Sequence, residues 1–315
     1  MDSSLLDKRL IFVTGKGGVG KSTAALALGL LAAQRGKRVV VTELSGNDEL
    51  QRTFGKSGGS QFSEVELSER LFTLSIEPQA AMEEYLKLKL PGPAGAALSQ
   101  SKLFGVFAMA TPGMRELLSI GKVWELSQLE RRTPEASGFD LVIVDAPASG
   151  HGIGLLRTPR TFVEIAKVGP IAAQGKRIAA TIADREFTGV IAVTTPEEMA
   201  VNETLEVATE LAADGLGLDA VVLNGRYREP LPATALDRLL QIRSELSETA
   251  ADAGNRAAID CLLSDQRRRG AQLEQEQRLK ERFDELLLYL PYLVTRELDS
   301  RAIARLSALL EDQLR

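Results

Sequence analysis

Thr14-Gly15-Lys16-Gly17-Gly18-Val19-Gly20-Lys21-Ser22-Thr23 decides the fold of this 315-residue chain. The apolar run Leu10-Ile11-Phe12-Val13 precedes it and the helix-favouring run Ala24 to Gln34 follows it, which is the strand, loop, helix setting of a P-loop. Gly15, Gly17, Gly18 and Gly20 can adopt backbone angles closed to residues with a Cβ, so successive N–H groups can converge on phosphate oxygens at the positive end of a helix. In that setting Lys21 meets the β- and γ-phosphates and the Ser22 hydroxyl ligates Mg²⁺. The whole segment from Gly15 through Val19 to Thr23 is the expected nucleotide cradle.

Outward from the loop, short β-branched or leucine-rich runs alternate with longer helical patterns. The runs are Leu10 to Thr14, Arg38 to Glu43, Leu71 to Glu77, Leu141 to Asp145, Val190 to Thr195, Ala220 to Asn224 and Leu286 to Leu290. This alternation predicts an α/β fold, a doubly wound and mostly parallel sheet of P-loop NTPase type covered by helices on both faces. Several runs are apolar throughout, as strands buried on both faces are. Residues 79–128 and 152–187 break the repeating unit with Pro, Gly and Ala among amphipathic pieces. Both leave strand ends on the side where open α/β sheets bind ligands, so they are expected to form a helical subdomain inserted on the nucleotide face of a single domain, 1–315. From Thr234 to Asp284 the interspersed charge predicts a solvated helix pair. Cys261 falls within it and is expected to be a buried, small apolar side chain.

Asp145 ends the apolar run Leu141-Val142-Ile143-Val144, the arrangement in which a strand-end carboxylate holds Mg²⁺ through a water molecule. Composition excludes several other chemistries. With 44% hydrophobic and 26% charged residues the chain can bury a sizeable core. Its 38 basic and 43 acidic residues give a net charge of −5, so nucleic acid is not an expected partner. One cysteine and one histidine cannot build a Cys₄ or Cys₂His₂ zinc site or an intramolecular disulfide within one subunit. The start Met1-Asp2-Ser3-Ser4-Leu5-Leu6-Asp7 lacks the cationic and apolar regions of a secretory signal. The longest apolar stretch, Ala24 to Ala33, is about half of what a bilayer span needs. A cytoplasmic location is expected, with transient membrane association at most.

The loop wording Gly-Lys-Gly-Gly-Val-Gly-Lys-Ser-Thr resembles the deviant Walker A of the dimerising ATPases, which include division-site and plasmid-partition ATPases and the arsenical-pump and tail-anchored-protein targeting ATPases. The resemblance implies that Lys16 crosses a two-fold axis to the partner subunit's nucleotide. Asp145-Ala146-Pro147-Ala148-Ser149-Gly150-His151 resembles the D-T-A-P-T-G-H switch loop of the arsenical-pump and targeting branch, with Pro displaced by one, and implies a switch role for His151. Leu155-Leu156-Arg157-Thr158-Pro159 is similar to the leucine-rich run that follows. Pro196-Glu197 to Glu203-Thr204 resembles the P-E-x-x-x-x-x-E-T signature. Asn224 resembles the family's strand-end asparagine, whose amide can pair with the adenine edge, and Leu290-Pro291-Tyr292-Leu293 the loop that closes over the base. Val41-Thr42-Glu43-Leu44-Ser45-Gly46-Asn47-Asp48 stands where the family usually reads S-T-D-P-A, so the resemblance makes Glu43 the first candidate for the carboxylate that positions the attacking water. Asp48 is the second candidate for that role, and the alternative is that both cap the next helix.

The resemblance therefore implies an ATP-hydrolysing, Mg²⁺-dependent switch protein, working as a homodimer or as a heterodimer with a paralogous subunit. A single Cys261 cannot supply three soft ligands to a metalloid, so a direct arsenite pump motor is not expected. The C-x-x-C zinc clasp of the eukaryotic targeting factors is absent from the sequence. The client is unidentified. The leading expectation is a short hydrophobic helix, taken up along Leu103 to Met109 and parts of Ile165 to Ile182. The alternatives are a regulatory or partition-type ATPase acting through a protein partner, and a nucleotide-binding scaffold with negligible turnover.

Overall fold

The structure, a computed structural model, describes residues 3–44, 48–56, 62–89, 110–133, 136–165, 170–229, 231–247 and 249–314. Its strands are β1 (Leu10–Thr14), β2 (Val39–Glu43), β3 (Val65–Ser68), β4 (Leu71–Ser75), β5 (Leu141–Asp145), β6 (Thr188–Thr194), β7 (Ala220–Arg226) and β8 (Leu287–Pro291). They form one sheet in the order β3-β4-β2-β5-β1-β6-β7-β8, parallel at every step except the β3–β4 edge. This is the doubly wound P-loop sheet that the alternating pattern predicts. β1, β2 and β6 are buried along their whole length, which is why they read as unbroken apolar runs rather than alternating ones.

β3 is the one strand that the periodicity does not predict. Only Leu67 of Val65-Glu66-Leu67-Ser68 is buried, and the register slips between Glu66 and Ser68. A short, charged, irregular strand is what a sheet edge carries when it must not recruit another chain.

Two helical layers cover the sheet. On one face lie α1 (Lys21–Gln34) and the last helix, α10 (Ser300–Gln313), with Leu5 and Leu6 of an N-terminal 3-10 turn. α1 is buried at ten consecutive positions, Ala24 to Ala33, so it is apolar on every side rather than amphipathic. The short α2 (Glu49–Thr53) follows β2. On the other face, the described parts of 79–128 supply α3 (Pro78–Lys89) and α4 (Met114–Leu126), while those of 152–187 include most of α5 (Ser149–Ile165) and all of α6 (Pro170–Ala183). Ile120, Val123, Ile153, Leu156 and Ile178 of these helices share a core with Val40, Leu74, Val142, Val144 and Ala192 of the sheet. They form a layer against the strands, joined by α7 (Glu198–Ala213). The run Leu103 to Met109 lies outside the described residues.

The helix pair expected over 234–284 is present as α8 (Ala233–Glu245) and α9 (Ala250–Phe283). α8 buries none of its described residues, and the 34 residues of α9 extend about 50 Å. Two details differ from expectation. Cys261 is exposed, because Ile259 takes the buried position on this stretch of α9 and the neighbouring α8 buries none of its own residues. Further along, α9 is not solvated all round: Arg269, Gln272, Glu276 and Leu279 are buried against the end of β7 and its neighbours.

Candidate functional site

The P-loop runs from β1 into α1 and is wedged between the ends of β6 and β7. A Cβ on Gly15 would stand 2.1 Å from the Val193 carbonyl oxygen, so the backbone comes closer there than any side chain permits. Gly20 combines a left-handed backbone (φ 91) with a position where a Cβ would stand 2.2 Å from the Asn224 amide nitrogen. Asn224 in turn donates from Nδ2 to the Val19 carbonyl at 2.9 Å, tying the tip of β7 to the loop. Gly17 and Gly18 border open space. Gly20, at the N-cap of α1, has no side chain to accept from the first turn, which leaves those N–H groups for a ligand.

Lys21 folds back over the loop and donates to the Lys16 carbonyl at 3.1 Å. Burial lowers its pKa, against the opposing charges of Asp145 and Glu203. The Ser22 hydroxyl donates to Asp145 Oδ2 at 2.5 Å. The other Asp145 oxygen, Oδ1, is buried and accepts no hydrogen bond. Burial pushes this carboxyl up to about 6, helped by Glu49 and opposed by the Ser22 bond and Lys21.

Strand register brings in the next carboxylate. β2 and β5 pair with Glu43 opposite Asp145, one interstrand spacing away. Glu43 is 3% exposed, and its Oε1 is also buried without a partner. Burial raises its pKa, against a hydrogen bond from the Glu49 N–H, with Asp48, Asp145 and Glu49 adding to the rise. Glu43 therefore does meet the first turn of α2. Asp48 sits at the α2 N-cap with φ 50 but makes no capping bond there, accepting instead from Gln51 Nε2 at 3.3 Å.

Two adjacent carboxylates, each with a buried, idle oxygen and each with its pKa raised, mark a place that a cation would suit. Hard oxygen donors beside a hydroxyl suit Mg²⁺, which keeps much of its shell as water and phosphate. Among the described residues no group of three or more His, Cys, Asp or Glu could hold a metal by itself.

Lys16 lies apart from this cluster. It lines an open cleft of about 460 Å³ together with Gly150, Met199 and the acidic face of α7, Glu203, Glu206 and Glu210. The side chain of His151 lies outside the described part of the structure. Its backbone belongs to α5, whose Gly152 abuts the end of β1: a Cβ there would stand 2.7 Å from Thr14 Oγ1. That buried hydroxyl has no hydrogen-bond partner, and only its place at a strand end could have singled it out in the sequence.

Pro291 closes β8 opposite Arg226, and the Tyr292 N–H donates to the Arg226 carbonyl at 2.9 Å. The Tyr292 ring stacks on Tyr227 with centroids 5.0 Å apart and an 18° interplanar angle. Asn224 and Pro291 thus stand near the ends of the neighbouring strands β7 and β8, with Asn224 against the P-loop.

The family model described as "Anion-transporting ATPase" matches residues 8–168 and 163–250. The chain belongs to the anion-transporting ATPase family. Relatives of this family member include ATPase BagA of Mycobacterium tuberculosis, 32% identical over 228 residues that cover 70% of this chain and 66% of the relative. ATPase GET3 of Chaetomium globosum is 25% identical over 260 residues, 70% of this chain and 74% of that one. The arsenical pump-driving ATPase of Escherichia coli is 27% identical over 236 residues, covering 68% of this chain and 39% of the relative. The matched part thus spans about two thirds of the mycobacterial relative and less than half of the pump ATPase. Within the family member described here, no helix among the described residues is long and apolar enough to cross a membrane.

Proposed function

We propose that this chain binds ATP with Mg²⁺ and hydrolyses it as a two-state switch. The observation that carries the reading is the pair of idle, buried oxygens, Asp145 Oδ1 and Glu43 Oε1, next to Ser22 and Lys21 at the mouth of a P-loop. Gly15 to Thr23 cradle the phosphates, Lys21 leaves the Lys16 carbonyl for the β- and γ-phosphate oxygens, and Ser22 with Asp145 holds the cation, Asp145 through water. The bound cation supplies charge neutralisation of the phosphates. Glu43 orients the attacking water, with Asp48 as the alternative on the same turn. Asn224 and the Pro291 loop hold the base.

Lys16 works across a dimer interface, in a homodimer or with a paralogous subunit. Its cleft, walled by Glu203, Glu206 and Glu210, gives it an acidic neighbourhood in the single subunit from which a partner's phosphates can draw it. The client is a hydrophobic protein segment. This is supported by an apolar cavity of about 190 Å³ between α3, α4 and α6, lined by Met82, Tyr85, Met114, Leu117, Trp124 and Ile178.

Lys21→Ala should abolish ATP binding, and Asp145→Asn should keep binding while losing Mg²⁺-dependent turnover by several orders of magnitude. Equilibrium binding of a fluorescent ATP analogue with and without Mg²⁺ separates the two, and undiminished binding by Lys21→Ala would overturn the phosphate assignment. Lys16→Ala should retain binding and lose both turnover and ATP-promoted dimerisation. Mixing Lys16→Ala with Lys21→Ala subunits tests the exchange directly, since a trans lysine predicts partial recovery of activity in the mixture.

A further inference from the structure

The base side of the site is held from α9, by a residue that meets the backbone at the end of β7. Between Leu223 and Arg226 the β7–β8 ladder slips, and Gly225 takes φ 76. Such a bulge re-aims the side chain beside it, here Asn224, and strips neighbouring backbone groups of ladder partners. Gln272 of α9 supplies them. Its Nε2 donates to the Gly225 carbonyl at 3.0 Å and its Oε1 accepts from the Tyr227 N–H at 2.8 Å, so one buried side chain clamps both sides of Arg226.

The clamp is one of several on the same helix face. Gln266 Oε1 accepts from the Leu231 N–H at 2.6 Å, and Arg226 Nε donates to Glu276 at 3.0 Å. Glu276 also pairs with the fully buried Arg269 at 2.8 Å and with Lys280 at 2.9 Å. Arg268 donates to the Tyr227 hydroxyl at 2.9 Å, and Tyr227 carries the stack onto Tyr292 behind Pro291. Four side chains of α9, Gln266, Arg268, Gln272 and Glu276, thus anchor residues 226, 227 and 231 and the Gly225 carbonyl.

We infer that Gln272 is a positioning residue for the base site, which acts through Asn224 and sets the preference for adenine over guanine nucleotides. The inference rests on the reading of Asn224 as the base reader. One Asn224 N–H is committed to the Val19 carbonyl, which fixes the amide plane and leaves Oδ1 and the second N–H for a ligand. An amide so fixed suits the amino donor and ring acceptor of adenine, whereas guanine presents an acceptor at the position of that amino group. The discrimination lasts only while the bulge holds its shape, and Gln272 is what holds it.

Gln272→Met keeps length and burial and removes both hydrogen bonds. It should weaken ATP binding about tenfold, the scale of one or two lost hydrogen bonds to buried partners, with GTP binding unchanged and kcat for ATP within about twofold of wild type. Gln272→Glu, which keeps the acceptor for Tyr227, should retain part of the preference. Asn224→Ala is the control. If it leaves the ATP-to-GTP ratio unchanged, the base reading falls and the inference with it. If it collapses the ratio while a folded Gln272→Met does not, the inference alone is overturned. Hydrogen exchange on the wild-type protein gives a readout that needs no variant: ATP, but not tripolyphosphate, should slow exchange of the Tyr227 amide. Equal slowing by both would contradict a base-linked role.

Discussion

Asp145 is costly to the empty protein. Its folded pKa of about 6 lies above the 3.8 of an unperturbed aspartate, with burial as the cause. The folded chain thus binds this proton more tightly than the unfolded chain does. The corresponding stability is fully present below about pH 4 and is lost as pH rises through 6, an effect on the order of 3 kcal/mol. Glu43 shifts in the same direction, also through burial. Asp145→Asn should accordingly raise the melting temperature of the nucleotide-free protein at pH 7.5, with the gain shrinking toward pH 4, while turnover is lost. Melting curves across that range check it, and a variant less stable than wild type at pH 7.5 would mean that the carboxylate is already compensated. A strand-end aspartate after four apolar residues is legible in sequence. Its idle oxygen and its pairing with Glu43 are not, because they follow from the register of β2 against β5, strands about a hundred residues apart in the chain.

The elements differ in how openly the sequence declares them. Strands buried on both faces declare themselves as apolar runs, and β1 and β5 have the predicted bounds. β3 does not, since four alternating residues at an edge carry no distinctive composition. The charge of α9 reads as a solvated surface, yet Arg269 is fully buried and Glu276 is 2% exposed, paired through geometry that no spacing rule contains. Gln272 was equally invisible, because its partners are backbone groups freed by a bulge more than forty residues earlier. Burial opposes ionisation of Glu276, but hydrogen bonds from Arg226, Lys280 and Arg269 prevail and hold its pKa down at about 2. A depressed carboxylate contributes stability above its unfolded pKa and loses it as pH falls through the folded value. Glu276→Gln should therefore cost about 3 kcal/mol near neutral pH, since it leaves the buried Arg269 uncompensated, and the deficit should narrow between pH 4.5 and 2. Urea titrations at pH 7 and pH 3 measure both. A constant deficit would assign the loss to packing instead.

At the scale of the molecule, the fold joins chain segments that are far apart. β1 lies between β5 and β6, and α1 packs on α10, where Ile303, Leu306 and Leu310 complete its core and Ser307 donates to Gln34 at 3.3 Å. Removing residues 300–314 should expose the apolar side of α1 and give an aggregating chain rather than a trimmed ATPase, as size-exclusion chromatography would show. A soluble, ATP-binding truncation would refute it. The consequence reaches back to synthesis. The phosphate-binding helix is made well ahead of its cover, which follows nearly three hundred residues later in the chain. At about 5–20 residues per second, a nascent chain would carry that uncovered helix for tens of seconds outside the ribosome, a greasy segment that a holding chaperone must shield until the last helix emerges. A chain that we propose handles the hydrophobic segments of others needs the same handling while it is being made.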